Sequence, residues 1–209
     1  MSKNEPSARC GTIRVAVLVK LLPSKLGSME DWLNQFTAPL AGPFDVAVAT
    51  YGPCHPVVRQ RFEQSGVQWH DLAELERSVP AARAWFRDHA DIAHFSLFAP
   101  RSLAVLAAAT MGSLRVAFQD CHSLDTQQGR QSLASRLLDR VTFARTAHIV
   151  AISHFVARRI HARFGVSPDR LRVVYNGVDV ERFRQRVASS AGRHTICVAA
   201  LIPGRGWMS

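Results

Sequence analysis

Residues Ala147–Phe183, with the sequence AHIVAISHFVARRIHARFGVSPDRLRVVYNGVDVERF, decide the fold. Residues 149–152 form an apolar run of the kind that makes a short buried strand. Ser153 follows it as a natural N-cap, whose hydroxyl can accept a bond from an orphan backbone N–H. Gly165 lies where a left-handed residue would end the helix. The stretch therefore predicts a strand, a capped helix and a turn in immediate succession.

The second half of this stretch predicts another strand, which ends in a polar bend. Leu171–Tyr175 has the composition of a buried strand. Asn176 and Gly177 follow it directly, so a backbone bend and a polar side chain fall at the carboxyl end of the strand. Open α/β sheets bind their ligands at this end. Asn176 is therefore either a structural residue of the bend or a ligand contact.

The rest of the chain alternates between patterns of the two kinds. Further strands are predicted at 12–19, 44–50, 67–70, 91–95 and 115–118. Helical periodicity predicts helices at 29–40, 57–65, 75–89 (kinked near Pro80), 101–111 and 132–145. The last of these is expected to be amphipathic, with one apolar face made by Leu133, Leu137, Leu138, Val141 and Ala144. This alternation predicts a Rossmann-like α/β fold, a parallel sheet with helices on both faces.

Composition excludes several classes of protein. At 209 residues and 47% hydrophobic, the chain can bury a core, which excludes a disordered protein. The four cysteines are far apart without a C-x-x-C pair, which argues against a zinc site or a disulfide framework. No signal peptide is visible, and no apolar run approaches the roughly 18–20 residues of a membrane span. We expect a cytoplasmic location, with a peripheral contact at the inner membrane face left open.

The net charge of +10 favours anionic partners, which include nucleotide phosphates, anionic lipid heads and nucleic acid. The predicted helix after Ser153 is itself basic, because it carries His154, Arg158, Arg159, His161 and Arg163. This face either is solvated or docks an anionic membrane or a lipid-phosphate acceptor. Nucleic acid is disfavoured, since only 8% of the residues are aromatic and no nucleic-acid-binding motif occurs.

The ordered pattern of residues 147–183 resembles the end of the N-terminal domain in glycosyltransferase family 4, whose members are retaining enzymes with the GT-B fold. The residues that carry the resemblance are Ser153, Gly165-Val166, Pro168, Arg172-Val173-Val174, Asn176-Gly177-Val178-Asp179 and Phe183. It is close over this stretch and loose over residues 12–146. The resemblance implies the N-terminal, acceptor-side half of a GT-B fold, truncated at the start of the C-terminal domain.

This resemblance also implies a division of the chain. A disordered N-terminus over 1–11 precedes a family 4-like N-terminal domain over 12–183, and 184–193 form a linker. Residues 194–209 would be the first strand of a truncated, donor-binding C-terminal domain. The second-domain E-x7-E pattern of the family is absent, and Ala200 stands where the family has an arginine.

The implied activity is transfer of a sugar from a nucleotide-sugar donor to the hydroxyl of a glycan or lipid-linked acceptor. The resemblance implies no cofactor and no metal, and the sequence has no D-x-D triplet. As a fragment, the chain is expected to be inactive alone. The alternative is a non-catalytic module that docks a partner or an anionic membrane surface.

The family pattern assigns roles to five residues. His122, which follows the strand 115–118, is the candidate catalytic residue, because an imidazole at the carboxyl edge can bond a sugar hydroxyl. Gly27, Ser153 and Asn176 are the candidate substrate-binding residues, with a plain turn before a helix as the alternative for Gly27 and a helix cap alone as the alternative for Ser153. Arg205 stands in the position of a cation that binds the donor phosphates. His94 is instead expected to pack or bond in the core.

Overall fold

The computed structural model of the protein describes residues 12–120 and 133–177. They form one sheet of seven strands: β1 (Arg14–Val19), β2 (Asp45–Thr50), β3 (Gln68–Asp71), β4 (Ile92–Ser96), β5 (Arg115–Asp120), β6 (His148–Ala151) and β7 (Leu171–Val173). Every neighbouring pair is parallel, in the order β3-β2-β1-β4-β5-β6-β7. The predicted Rossmann-like parallel sheet is confirmed.

Helices pack on both faces of this sheet. They are α1 (Ser28–Thr37), α2 (Pro56–Gln64), α3 (Leu72–Leu75), α4 (Val79–His89), α5 (Leu103–Ala109), α6 (Leu133–Arg145) and α7 (His154–Phe164). Short 3-10 turns lie at Ala38–Leu40 and Pro168–Arg170. The first two helices share a core with one face of β1 and β2, and the other five share a core with the opposite face of the sheet. Strand β1 serves both cores, because its successive side chains alternate between the faces.

The prediction of one helix over residues 75–89, kinked near Pro80, is wrong, because the structure has two separate helices in this region. Helix α3 ends at Leu75, and α4 begins after Ser78, whose hydroxyl accepts a bond from the backbone N–H of Ala81. Pro80 lies in the first turn of α4. Proline is tolerated there because the helix needs no hydrogen bond from that position.

Helix α7 has the termini that the sequence predicts. The Ser153 hydroxyl accepts a bond of 3.2 Å from the backbone N–H of Val156. At the other end Gly165 adopts the left-handed conformation, with a φ of 68°. The following strand is shorter than predicted and ends at Val173, although the Val174 N–H still bonds to the Ala151 carbonyl.

Helix α6 is amphipathic as predicted, but its apolar face points away from the sheet. Leu133 and Leu137 are 83% and 65% exposed, and Leu138 and Val141 are exposed as well. The buried face carries Phe143 together with the polar residues Asp139, Thr142 and Thr146. The polar groups are accommodated because the carboxylate pairs with Arg101 at 3.1 Å and both threonine hydroxyls bond carbonyls of their own helix.

The chain divides into two compact units, Met1–Tyr175 and Asn176–Ser209. The sheet and its helices belong to the first unit, whereas only Asn176 and Gly177 of the second are described. The predicted linker over 184–193, the strand over 194–209 and the N-terminal segment over 1–11 lie outside the described residues, so the predicted domain limits stay predictions. None of the described helices has the length and apolar character that crossing a membrane requires.

Candidate functional site

The strand order places a candidate site at the carboxyl ends of β1 and β4. The chain runs from β1 toward β2 on one side and from β4 toward β5 on the other, so the sheet has its topological switch point between them. Open parallel sheets bind ligands in the crevice outside such a point. The backbone N–H of Lys20 donates to the carbonyl of Ser96 at 3.2 Å, which holds the two strand exits together.

Gly27 lies in the loop that leaves β1 and is the N-cap of α1. Its φ of −147° is ordinary extended backbone, so its conformation does not require glycine. What requires glycine is space, because a Cβ at this position would lie 2.8 Å from Oε2 of Glu30. Glu30 is only 3% exposed. The missing side chain of Gly27 therefore gives room to a buried carboxylate in the first turn of α1.

We expect Gly27→Ala to destabilise the protein by about 1 kcal/mol, since the Glu30 carboxylate must leave a place where it favours the helix N-terminus. Thermal or urea unfolding measures the change. In a Glu30→Ala background the same substitution should be close to neutral, because the clash is gone. An equal cost in both backgrounds would show that the carboxylate is not the cause.

Two further residues lie at the exit of β4, and the sequence did not identify either. Ser96 is 1% exposed, and its Oγ has no hydrogen-bond partner among the described residues. Such a buried hydroxyl calls for a water or a ligand group.

Leu97 follows Ser96 with a φ of 63°, a strained conformation for a residue with a γ-branched side chain. Strain of this kind clusters at functional sites. The sequence carries no signal for it, because a serine and a leucine after a strand are ordinary.

His94 precedes Ser96 by two residues in β4, so both side chains lie on the face of the sheet that α1 covers. Its Nε2 lies 3.1 Å from Oε1 of Gln119, and its ring packs 5.3 Å from that of Phe36 between centroids. Burial lowers the pKa of His94, against a smaller opposing effect of the Gln119 hydrogen bond. The imidazole is therefore neutral near pH 7, and its Nε2–H tautomer can donate to the amide oxygen. The prediction that His94 bonds and packs in the core is confirmed.

A second polar group occupies the same edge of the sheet beyond β2. The Tyr51 hydroxyl donates to Glu76, and the backbone N–H of Gly52 donates to Oδ1 of Asp71 at 3.2 Å. Burial, followed by the contact with Glu76, raises the pKa of Tyr51 to about 12. Its phenol therefore stays protonated over the physiological range. The Nζ of Lys20 lies 5.9 Å from the centre of this ring, so the group is continuous with the exit of β1.

Ser153 lies at the same edge, but away from Gly27. Ser153 follows β6 and Gly27 follows β1, and strands β4 and β5 lie between β1 and β6 in the sheet. At roughly 4.8 Å a strand they stand on the order of 14 Å apart along the edge. The Ser153 hydroxyl is used by the helix cap, which leaves the backbone N–H groups of α7 as its contribution to any ligand site. The structure therefore does not bring the two residues into contact.

The structure gives fewer contacts for the remaining predicted site residues. Asn176 is exposed and belongs to the second unit of the chain. Tyr175 ends the first unit, and its ring lies 6.1 Å from that of His154 at the start of α7. The predicted catalytic residue His122 and the predicted phosphate ligand Arg205 lie outside the described residues. Their roles stay predictions.

Comparison with known proteins identifies the family. A family model described as Glycosyltransferase Family 4 matches residues 38–182. A search of curated proteins found no match.

Solved structures show similarity in fold. A glycosyltransferase from Rickettsia africae ESF-5 has a TM-score of 0.57 at 12% identity, over 82% of this chain and 45% of that one. Anabaena HepE in complex with UDP has a TM-score of 0.55 at 13% identity, over 81% of this chain and 45% of that one. HepE in complex with UDP-glucose has a TM-score of 0.52 at 15% identity, over 79% of this chain and 45% of that one.

At these identities the solved structures show the fold alone, which is the Rossmann-like α/β fold of GT-B glycosyltransferases. This chain spans less than half the length of each of them. The family model, in contrast, covers well over half of the 209 residues. The chain belongs to glycosyltransferase family 4.

Proposed function

We propose that this chain is the acceptor-side, N-terminal domain of a retaining glycosyltransferase, which transfers a sugar from a nucleotide-sugar to an acceptor hydroxyl. The family match over residues 38–182 carries the proposal. The similar structures of HepE contain UDP and UDP-glucose, which supports a nucleotide-sugar as donor. The acceptor would be a glycan or a lipid-linked sugar. No cofactor or metal takes part in the proposed reaction.

The charges around α1 favour a neutral ligand group at this part of the site. Glu30 and Asp31 both lie in the first turn of α1, and Glu30 is buried beside Gly27. The Glu30 carboxylate at the helix N-terminus offsets part of the positive charge that would attract a phosphate, whereas the Asp31 carboxylate is paired with the Arg61 guanidinium at 2.8 Å. A sugar hydroxyl, in contrast, can donate a hydrogen bond to a carboxylate. We therefore assign Gly27 and its loop to the acceptor sugar rather than to the donor diphosphate.

The other proposed roles follow from the family pattern. His122, after β5, would contact the transferred sugar or the acceptor, and Ser153 and Asn176 would bind substrate. Arg205 would neutralise the negative charge that develops on the departing nucleoside diphosphate. In this front-face mechanism the glycosidic bond to the diphosphate breaks on the same side on which the acceptor oxygen bonds, so the anomeric configuration is kept.

Release of nucleoside diphosphate from a panel of nucleotide-sugars tests this proposal. The 209-residue chain alone is expected to give no hydrolysis and no transfer, because most donor contacts of the family lie in the C-terminal domain. Should the reading frame continue past residue 209, the longer protein is expected to transfer sugar with retention of the anomeric configuration.

In that longer protein, His122→Ala should lower turnover by about a hundredfold. His148→Ala is the matched control, because this exposed histidine lies at the amino end of β6, whereas the candidate site lies at the carboxyl ends of the strands. Turnover by the 209-residue chain would contradict the inactivity of the fragment, and an inverted product would contradict retention. Equal effects of the two substitutions would remove His122 from the site.

A second proposed function is the docking of a partner or an anionic membrane surface without catalysis. The exposed residues His154 and Arg158 on basic α7 support it. An attraction of this kind is electrostatic and is screened by salt. In flotation with anionic vesicles, the part of the binding that α7 contributes is expected at low salt and is lost at high salt, and binding that salt leaves wholly unchanged would contradict this electrostatic contact.

A further inference from the structure

The outward face of α6 carries a stripe of exposed apolar side chains. Leu133, Leu137 and Val141 are spaced four residues apart and are 83%, 65% and 47% exposed. Residues at this spacing lie above one another along a single side of a helix. Polar or small residues are expected on the solvent side of such a helix. We call this set the α6 stripe.

The contacts of the opposite side fix the rotation of the helix, so the stripe cannot turn inward. The Phe143 ring is fully buried, and its centroid lies 5.4 Å from that of Phe118 and 4.5 Å from that of Phe164. The Arg101 guanidinium pairs with Asp139 at 3.1 Å. Arg170 donates to the carbonyls of residues 143 and 144, both at 2.8 Å. Rolling α6 would break all of these contacts.

Exposed arginines of the same helix flank the stripe. Arg136 and Arg140 are exposed beside it, and the helix ends at the exposed Arg145. Asp139 is the one acidic residue of α6, and it is buried. Over residues 133–177 the sequence has eight arginines and two aspartates, with no lysine or glutamate. The stripe thus combines outward apolar side chains with exposed arginines on the same helix, within a segment of the chain that is basic as a whole.

These charges discriminate between the surfaces that could cover the stripe. A second copy of the chain would bring arginines against arginines. The chain's own residues 178–209 have five arginines and two acids, so they too are of like charge. An anionic lipid surface matches both features, because lipid phosphates attract the arginines and the acyl boundary takes up the leucines.

We propose that the α6 stripe inserts into the interface of an anionic bilayer. A helix of 13 residues is about 20 Å long, and helices of this kind lie in the interface plane with the apolar side buried by about 5–10 Å. The contact lies on α6, not on the basic helix α7. It has an apolar part that salt does not screen. It does not depend on glycosyl transfer.

Flotation of the 209-residue chain with vesicles tests this insertion. Binding to phosphatidylcholine vesicles that contain phosphatidylglycerol is expected, with a part that persists at high salt. The double substitution Leu137→Ser/Val141→Ser should weaken partitioning by at least about tenfold, since it removes buried apolar area. Arg136→Gln/Arg140→Gln should weaken it by about tenfold at low salt only.

Leu103→Ser is the matched control for the leucine substitutions. Leu103 is 39% exposed at the start of α5, outside the stripe. It should leave partitioning unchanged. Because all of these positions are exposed, the melting temperatures of the variants should stay close to that of the unsubstituted chain, which separates loss of binding from loss of folding.

Insertion itself is measured with Leu137→Trp, whose fluorescence should shift to the blue and be quenched by brominated acyl chains, whereas Leu103→Trp should respond to neither. Equal partitioning of the serine double variant and the unsubstituted chain would overturn the proposal. Complete loss of binding at high salt would do so too. A concentration-dependent dimer that the double variant abolishes would assign the stripe to a second copy instead. The vesicles hold no sugar donor, so a failed flotation leaves the proposed glycosyl transfer untouched.

Discussion

Replacing Phe143 with alanine is expected to lower the free energy of unfolding by about 3–5 kcal/mol. The ring is fully buried and makes edge-on and tilted contacts with Phe118 of β5 and Phe164 of α7. Its removal leaves a cavity where a strand and two helices meet. The cost is the lost transfer of the ring from water together with the cavity that remains.

Urea unfolding of Phe143→Ala and of a matched control measures this effect. Phe155→Ala is the control, because Phe155 is 54% exposed at the start of α7, where its ring lies 5.5 Å from the Arg159 guanidinium. Its loss should cost at most about 1 kcal/mol. Similar costs for the two variants would mean that α6 is not anchored through Phe143.

The same helix shows where periodicity fails as a guide to the core. Leu133, Leu137 and Val141 have the spacing of a buried face, whereas Asp139 and Thr142 read as a solvent face. The structure reverses the two faces, because one aromatic ring and an ion pair with Arg101 are satisfied only on the inside. Periodicity reports that a helix has two faces. It does not report which of them meets the sheet.

Local signals with a stereochemical cause were more reliable. Ser153 and Gly165 end α7 as the sequence predicts, because a hydroxyl cap and a left-handed glycine need only their immediate neighbours. The alternation of strands and helices likewise implies a parallel sheet. The strand order and the switch point between β1 and β4 depend on contacts far apart in the chain, so the sequence could not supply them.

The candidate site was only partly predictable for the same reason. The loop at Gly27 was identified, but the buried Glu30 carboxylate, which lies 2.8 Å from the place that a Cβ of residue 27 would occupy, was not. The unpartnered hydroxyl of Ser96 and the strained Leu97 have no sequence signature. Both become visible only when the exits of two strands are set side by side.

Acid is expected to destabilise the protein through His94. Burial lowers the pKa of its imidazole below the ordinary value of about 6.5. Between the two pKa values, residue 94 is therefore protonated in the unfolded chain and neutral in the folded protein. As the pH falls below about 6.5, stability is lost by up to about 1.4 kcal/mol per pH unit, until the folded-state pKa is reached. Above that range the contribution is constant.

Thermal unfolding of His94→Gln between pH 7.5 and 5 tests this, because glutamine can still bond Gln119 but does not titrate. The variant should be less stable at neutral pH, where it packs less well against Phe36, and should lose less stability on acidification. The pKa of His70 is lowered too, by burial and then by His89, so His70→Gln should also flatten the acid slope. Its effect should be the smaller one, since the His70 imidazole is only half buried and water compensates part of its charge.

If the acid slope were the same in the unsubstituted chain and in His94→Gln, the His94 imidazole would be protonated within the fold. The pair with Gln119 would then be a charged hydrogen bond close to the switch point, and not the neutral core contact described above.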